Sequence, residues 1–162
     1  MEEIKRLFKS FYYAGNGVFH CIKNERNLRI HLTFITYMFS ILLSTDWFDL
    51  SRTDYAVLVV ISALVVTAEI INTAVENAVN LASEQHSEYG RIAKDAAAGA
   101  VLAAACFAVI TGLVIMLQPK AFAAMFSYFL SHPLMLLLLL VSLIPAFIFI
   151  FWGNPFTKGK KK

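Results

Sequence analysis

The chain has 162 residues, of which 59% are hydrophobic and only 15% are charged, and its mean hydropathy is +0.66. This composition excludes an ordinary water-soluble domain and a disordered chain. The net charge of +3 is small, and much of the positive charge lies near the two ends of the sequence. The charge therefore favours a membrane surface as partner and predicts no nucleic-acid partner. The two cysteines, Cys21 and Cys106, match no metal-binding or redox spacing.

The first predicted element is a surface helix over residues 2–23. Apolar side chains recur at steps of three and four residues from Ile4 to Ile22, and the opposite face carries basic and polar groups. A helix with a basic face and an aromatic apolar face is typical of the membrane interface.

Four apolar segments follow the surface helix and predict membrane spans. Each approaches the roughly 20 residues that a helix needs to cross the hydrocarbon core. Pro145 is expected to kink the last of them. The segments are residues 30–48, 55–83, 96–117 and 134–152.

The charges between the predicted spans indicate their orientation. Basic residues precede the first span, the connection 84–95 carries Arg91 and Lys94, and the chain ends in a Lys-rich tail. The loop between the first two spans is acidic. By the positive-inside rule, both termini and the connection are predicted to be cytoplasmic.

Together these elements predict an all-α, polytopic membrane protein. An N-terminal amphipathic surface helix is followed by three core transmembrane helices and a fourth, C-terminal one. The predicted organisation is an interfacial helix over 1–29, a three-helix core over 30–118, and a further span with a Lys-rich cytoplasmic tail over 119–162.

Polar side chains interrupt the second span in the stretch AEIINTAVENAVN, residues 68–80. Glu69, Asn72, Glu76 and Asn80 form one stripe on a helix because three, four and four residues separate them. A charged side chain near mid-membrane costs roughly 2.5–3.5 kcal/mol on insertion scales. The stripe therefore either bonds neighbouring helices together or performs chemistry. Glu69 and Glu76 lie roughly 10 Å apart along the axis, which favours two separate tasks.

Further polar residues occur at the predicted cytoplasmic ends of the other spans. Glu25 precedes the first span, and Lys94 and Asp95 precede the third. Glu25 and Glu76 together could bind a hard divalent cation, and Lys94 could meet a phosphate group. Two classes of function fit these residues. One is an enzyme that uses a metal ion and a phosphate donor on a membrane-resident substrate, and the other is a cation- or proton-coupled transporter.

Three segments, NERNLRIH, AEIINTAVE and RIAKDAAAGAVL, occur in an order and spacing that resembles the prokaryotic membrane-integral diacylglycerol kinase family. The match is closer to its undecaprenol kinase branch and covers residues from about 5 to 118. The resemblance implies a homotrimer in the cell membrane that transfers the γ-phosphate of MgATP to a lipid alcohol. Undecaprenol is the expected substrate and diacylglycerol the alternative. The fourth span exceeds the family core, carries no ionisable residue and is expected to be peripheral.

The resemblance also implies roles for individual residues. Glu69 would be the general base with Asn72 supporting it, and Glu25 and Glu76 would hold magnesium. Asn80 departs from the family, since many relatives carry Asp there. The nucleotide would contact Arg6, Tyr13, Glu25, Glu76, Gln85, His86, Ser87, Lys94 and Asp95. The lipid would lie along Asn27, Leu28, Arg29, Ile30, His31, Glu69 and Ala98.

Overall fold

A computed structural model describes residues 1–82 and 87–151. Within these ranges the chain is all-α, as predicted. Gln85, His86 and the Lys-rich tail lie outside the described residues. The helices are α1 (Glu2–Asn24), α2 (Arg26–Ser44), α3 (Arg52–Ala82), α4 (Glu88–Met116), α5 (Pro119–Ser131) and α6 (Pro133–Phe151).

Three helices in the described part of the chain, α3, α4 and α6, are long and apolar enough to cross a membrane. They correspond to the second, third and fourth predicted spans, and the prediction of a polytopic membrane protein is confirmed. The first predicted span corresponds to α2, which does not reach the same hydropathy. Arg26, Arg29 and His31 lie in the first turns of α2 and make its beginning polar.

Two helices differ from the sequence prediction. The prediction of a connection over 84–95 is wrong from Glu88 onward, because α4 begins there and carries Lys94 and Asp95 on its first turns. The Ser87 side chain accepts a hydrogen bond from the backbone N–H of Gly90 at 3.0 Å, so it caps the helix. The hydropathy pattern also gave no separate helix at α5, which has Pro119 at its first position.

The helices pack as an antiparallel bundle in which α3 and α4 share the largest interface. A methyl group at Gly90 would lie 3.0 Å from Val79 Cγ1, so glycine permits the close approach of these two helices. α2 packs against α3 and α6, and α1 packs against the ends of α2 and α3. We use the name polar end for one end of the bundle. It contains the end of α1, the start of α2, the end of α3, the start of α4 and the end of α6.

The opposite end, which we call the aromatic end, consists of residues 45–51 and α5 with the helix ends beside them. Its core is a cluster of Leu42, Phe48, Leu58 and Ala121. Phe48 meets Phe122 edge to face, with ring centroids 5.6 Å apart. The Gln118 side chain donates to the carbonyl oxygen of Asp49 at 3.1 Å and accepts from its backbone N–H at 3.0 Å. α5 is thereby fixed over the loop that joins α2 to α3.

Candidate active site

Glu69 is a buried carboxylate on α3, with only 3% of the residue exposed. The Thr73 hydroxyl donates to the Glu69 carbonyl oxygen at 3.0 Å and so stays within its own helix. Within the described chain, the Glu69 Oε1 atom is buried and has no hydrogen-bond partner. Buried polar atoms are nearly always satisfied, so an unpaired carboxylate oxygen indicates a position that a ligand completes.

His31 on α2 is the titratable side chain that contacts Glu69. Its Nε2 atom lies 3.4 Å from Glu69 Oε1, close enough for an ion pair if the imidazole is protonated. The same oxygen nevertheless receives no hydrogen bond. We regard the pair as a contact without a formed hydrogen bond, since a bond requires the donor to point at the acceptor.

An apolar cavity of about 440 Å³ opens beside this pair, between α2, α3 and α4. Its walls are apolar except for His31 and Ser62, and Val65 lies one helical turn before Glu69. Small residues of α4 leave the space open, namely Ala105, Ala108 and Gly112. The volume is typical of ligand pockets, and the wall suits a hydrocarbon chain whose polar group reaches His31 and Glu69.

Asn72 and Glu76 continue the polar stripe toward the polar end. The Asn72 amide Nδ2 donates to Glu76 Oε1 at 3.1 Å. Among the described residues, Asn72 Oδ1 is the second buried side-chain oxygen without a partner. The stripe thus contains two unsatisfied oxygens, which argues against the interpretation that it only bonds helices together.

Glu25 lies at the corner between α1 and α2. Burial raises the pKa of the Cys21 thiol, the nearby Glu25 charge also raises it, and hydrogen bonding with the Thr73 side chain opposes both. The contact between Cys21 and Thr73 brings this corner to the level of α3 from which Glu76 projects. Carboxylate oxygens and the unpaired Asn72 oxygen are the hard ligands that Mg²⁺ prefers, so the residues fit the predicted metal.

A search of the described residues finds no group of three or more His, Cys, Asp and Glu side chains that could hold a metal ion. The predicted magnesium site would have two carboxylates, Glu25 and Glu76, and would need the nucleotide to supply further ligands. Magnesium usually binds one or two carboxylates together with substrate phosphates.

Basic side chains on the first turns of α4 border the stripe. Lys94 Nζ donates to Asn80 Oδ1 at 2.6 Å. Arg91 forms an exposed ion pair with Asp95, with 3.2 Å between nitrogen and oxygen. Asn80 is a neutral acceptor, so it orients the Lys94 ammonium without cancelling its charge.

The two predicted nucleotide contacts on α1 lie away from the stripe. Arg6 is exposed and lies 3.7 Å from Glu2 on its own helix. Tyr13 is exposed, with Lys9 Nζ 5.7 Å from its ring centroid. Cys21, in the last turn, is the buried residue of α1. The structure thus brings only the end of α1 to the stripe.

The predicted lipid residues lie in several environments. Ile30 and His31 line the cavity, Asn27 and Ala98 are exposed, and Leu28 is buried. Arg29 is also buried, and its guanidinium donates to three backbone carbonyl groups. The sequence predicted neither the hydrogen bonds of Arg29 to backbone carbonyl groups nor the position of Ser62 in the cavity wall. Neither residue interrupts an apolar pattern in a distinctive way.

A buried carboxylate beside an apolar cavity, with further carboxylates and a lysine toward one end of the bundle, is typical of an enzyme embedded in a membrane. The family model described as prokaryotic diacylglycerol kinase matches residues 12–116. The chain belongs to the prokaryotic diacylglycerol kinase family and is a membrane lipid kinase. Family membership confirms the resemblance inferred from the sequence motifs. It excludes the alternative hypothesis of a cation- or proton-coupled transporter.

Two curated relatives are similar to this chain. Undecaprenol kinase of Bacillus subtilis is 35% identical over 118 residues, covering 73% of this chain and 93% of the relative. Diacylglycerol kinase of Synechocystis is 41% identical over 114 residues, covering 70% of this chain and 63% of the relative. The chain therefore spans less than two thirds of the Synechocystis protein. No solved structure matches the chain significantly.

Proposed function

We propose that this lipid kinase transfers the γ-phosphate of ATP to the hydroxyl group of undecaprenol. The observation that carries the proposal is the buried Glu69 carboxylate, whose unpaired Oε1 atom lies beside His31, a residue of the apolar cavity wall. The Bacillus relative supports undecaprenol, because the match extends over 93% of that undecaprenol kinase. The Synechocystis relative supports diacylglycerol as the second candidate.

In the proposed reaction, Glu69 accepts the proton of the lipid hydroxyl. The hydroxyl oxygen then forms a bond to the γ-phosphorus, the bond from that phosphorus to the β–γ bridging oxygen breaks, and ADP leaves. A positioned general base typically contributes 10²–10⁴-fold to such a step. Asn72 supports this arrangement, because its amide orients Glu76 while its Oδ1 atom remains available to a ligand.

Glu25 and Glu76 would hold Mg²⁺, which neutralises phosphate charge when it is bound. Lys94 would contact the phosphates as a point charge, and Asn80 already orients it. Phosphoryl transfer depends mainly on such positioning and charge neutralisation. The remaining proposed nucleotide contacts are Arg6 and Tyr13 on α1, Gln85, His86, Ser87 and Asp95.

The proposed lipid path begins at the α1–α2 corner and enters the cavity. Ile30 and His31 line that cavity, and His31 contacts the proposed base. The other proposed contacts along this path are Asn27, Leu28 and Ala98. Arg29 would border the path without a polar contact to the lipid, because its guanidinium donates to three backbone carbonyl groups. The hydrocarbon tail would occupy the apolar part of the cavity and leave through the gap between α2 and α4.

The proposed location is the cell membrane, with both termini cytoplasmic and three copies in the assembly. The basic charge near the polar end supports this orientation. Among the described residues, α6 has no buried residue, and α4 buries only Val101 and Ala104. Their apolar surfaces are therefore available to lipid and to other copies.

The test is a competition assay with purified full-length protein in lipid nanodiscs. Radiolabelled ATP, Mg²⁺ and equal amounts of undecaprenol and dioleoylglycerol are supplied together, and the extracted lipids are separated. Label mainly in undecaprenyl phosphate is expected. Label mainly in phosphatidic acid would select the second candidate, and unlabelled lipids would overturn the proposal.

A further inference from the structure

Arg29 joins two helix ends that are far apart in the sequence. Its residue is 5% exposed. The guanidinium Nε donates to the carbonyl oxygen of Ile150 at 3.1 Å. Nη1 donates to the carbonyl oxygens of Ile22 and Lys23, each at 2.9 Å. Arg29 on α2 therefore links the last turn of α1 to the last turn of α6.

This arrangement satisfies groups that would otherwise remain unpaired. The last four carbonyl groups of a helix have no intrahelical partner, and the negative end of the helix dipole lies there. The planar, permanently charged guanidinium can donate to several acceptors in fixed directions. Two helix C-termini thus stabilise one buried cation, and losing either would leave part of that cation without its partners.

A second contact holds α6 against α2. The Tyr37 hydroxyl donates to the carbonyl oxygen of Ser142 at 2.8 Å and lies 2.9 Å from the Ser142 hydroxyl. Tyr37 follows Arg29 by eight residues, and Ser142 precedes Ile150 by eight. The two contacts therefore fix the antiparallel register of α2 and α6 at two levels. α6 lies outside residues 12–116, which match the family.

The position of the α1 end matters for the active site. Cys21 in the last turn of α1 is 6% exposed and contacts Thr73 on α3. Thr73 lies on α3 between Glu69 and Glu76 and directly follows Asn72 of the polar stripe. Contacts that fix the last turn of α1 therefore also keep α1 packed against the polar stripe.

We propose that α6 and Arg29 form a brace that keeps the surface helix α1 docked on the polar stripe of α3. Arg29 is the positioning residue that connects α6 to α1, and Tyr37 secures α6 in the register that this connection needs. The brace makes α6 a part of the catalytic assembly instead of a peripheral span. Only its effect on nucleotide use rests on the proposed function.

The docking of α1 can be measured by labelling the Cys21 thiol with a maleimide in the full chain carrying Cys106→Ala. Docking buries this thiol and keeps its pKa raised, so the docked state reacts slowly. Arg29→Gln is expected to raise the labelling rate about tenfold or more, because it removes hydrogen bonds from a charged donor. Tyr37→Phe should raise it about fivefold through loss of one neutral bond.

Thr36→Val is the matched control, since the Thr36 hydroxyl donates to the Leu32 carbonyl oxygen within its own helix. Its labelling rate should stay at the parental value. Ala121→Cys, in a chain that also carries Cys21→Ala and Cys106→Ala, reports global unfolding, because Ala121 is 2% exposed at the aromatic end. It should stay protected in every variant. Parental labelling in Arg29→Gln, or equal rates in Tyr37→Phe and Thr36→Val, would overturn the brace.

Kinetics supply a readout that general destabilisation would not give. Arg29→Gln should raise the KM for the nucleotide about tenfold and leave the KM for the lipid nearly unchanged, with partial recovery in Arg29→Lys. Equal changes in both KM values would contradict a role in docking α1. The labelling result decides the brace even if no lipid is phosphorylated, so its failure and the failure of the proposed function are distinguishable.

Discussion

The aromatic end and the polar end of the bundle differ in whether their polar groups have hydrogen-bond partners. At the aromatic end, Gln118 and the backbone of Asp49 exchange two hydrogen bonds, and the Tyr55 hydroxyl donates to the Leu42 carbonyl oxygen at 2.8 Å. Toward the polar end, the stripe leaves Glu69 Oε1 and Asn72 Oδ1 buried without a hydrogen-bond partner among the described residues.

This difference indicates that the aromatic end contributes to stability and that the polar end contributes to function. A buried polar atom without a partner costs about 1–3 kcal/mol, and a folded chain retains that cost where a ligand can remove it. The aromatic end combines satisfied polar groups with edge-to-face aromatic contacts, an arrangement that contributes stability. Substitutions at the two ends should therefore affect different measurements.

The largest expected effect is that of Glu69→Gln. The amide keeps the size of the side chain but cannot accept the hydroxyl proton, so lipid phosphorylation should fall about 10²–10⁴-fold. Nucleotide binding, measured by calorimetry, should be unchanged. Glu88→Gln, on an exposed carboxylate of α4, should keep full turnover as the control. Wild-type turnover of Glu69→Gln would exclude this residue as the base.

Glu76→Gln should change nucleotide affinity in the presence of Mg²⁺. Its amide oxygen can still accept from Asn72, but the charge that would hold magnesium is lost. We expect Mg²⁺-dependent nucleotide affinity to fall by about tenfold or more, as for lost metal-site groups. Glu69→Gln is the natural control, because it should retain that dependence. Equal Mg²⁺ dependence in the two variants would contradict the metal assignment.

At the aromatic end, Gln118→Ala should lower stability without changing the turnover of folded protein. The variant loses the paired hydrogen bonds to Asp49 at a partly exposed position, so the free energy of unfolding should fall by about 1 kcal/mol. Thermal unfolding in detergent measures the loss, with the exposed Lys120→Ala as control. A selective change of the KM for the nucleotide in Gln118→Ala would break the separation of the two ends.

The apolar segments and the polar stripe could be predicted from the sequence because both are periodic. Hydropathy identified α3, α4 and α6, and helical spacing placed Glu69, Asn72 and Glu76 on one face. The start of α4 was missed since its first turns are polar, and a serine cap rather than hydropathy begins the helix. The hydrogen bond of the Ser87 side chain therefore sets the start of α4.

The long-range contacts could not be predicted from one sequence. Arg29 reads as an interfacial arginine, yet it is buried against carbonyl groups of α1 and α6, the latter 121 residues away. The family resemblance implies that His31 and Glu69 lie along one lipid site, but nothing in the sequence indicates that their side chains meet. Both depend on which helices become neighbours, and backbone carbonyl groups are acceptors that every sequence provides.

Asn80→Asp tests the smallest expected effect, at the position where the family resemblance implies an aspartate. The Asn80 Oδ1 atom accepts from Lys94 at an exposed position, so a carboxylate there would form a screened ion pair worth at most about 1 kcal/mol. Partial cancellation of the Lys94 charge should raise the KM for the nucleotide by up to about fivefold at low salt, and less at high salt. Asn77→Asp adds the same charge elsewhere on α3 and is the matched control. If both variants change the KM equally, the effect is general electrostatics, and the orientation of Lys94 by Asn80 contributes nothing specific.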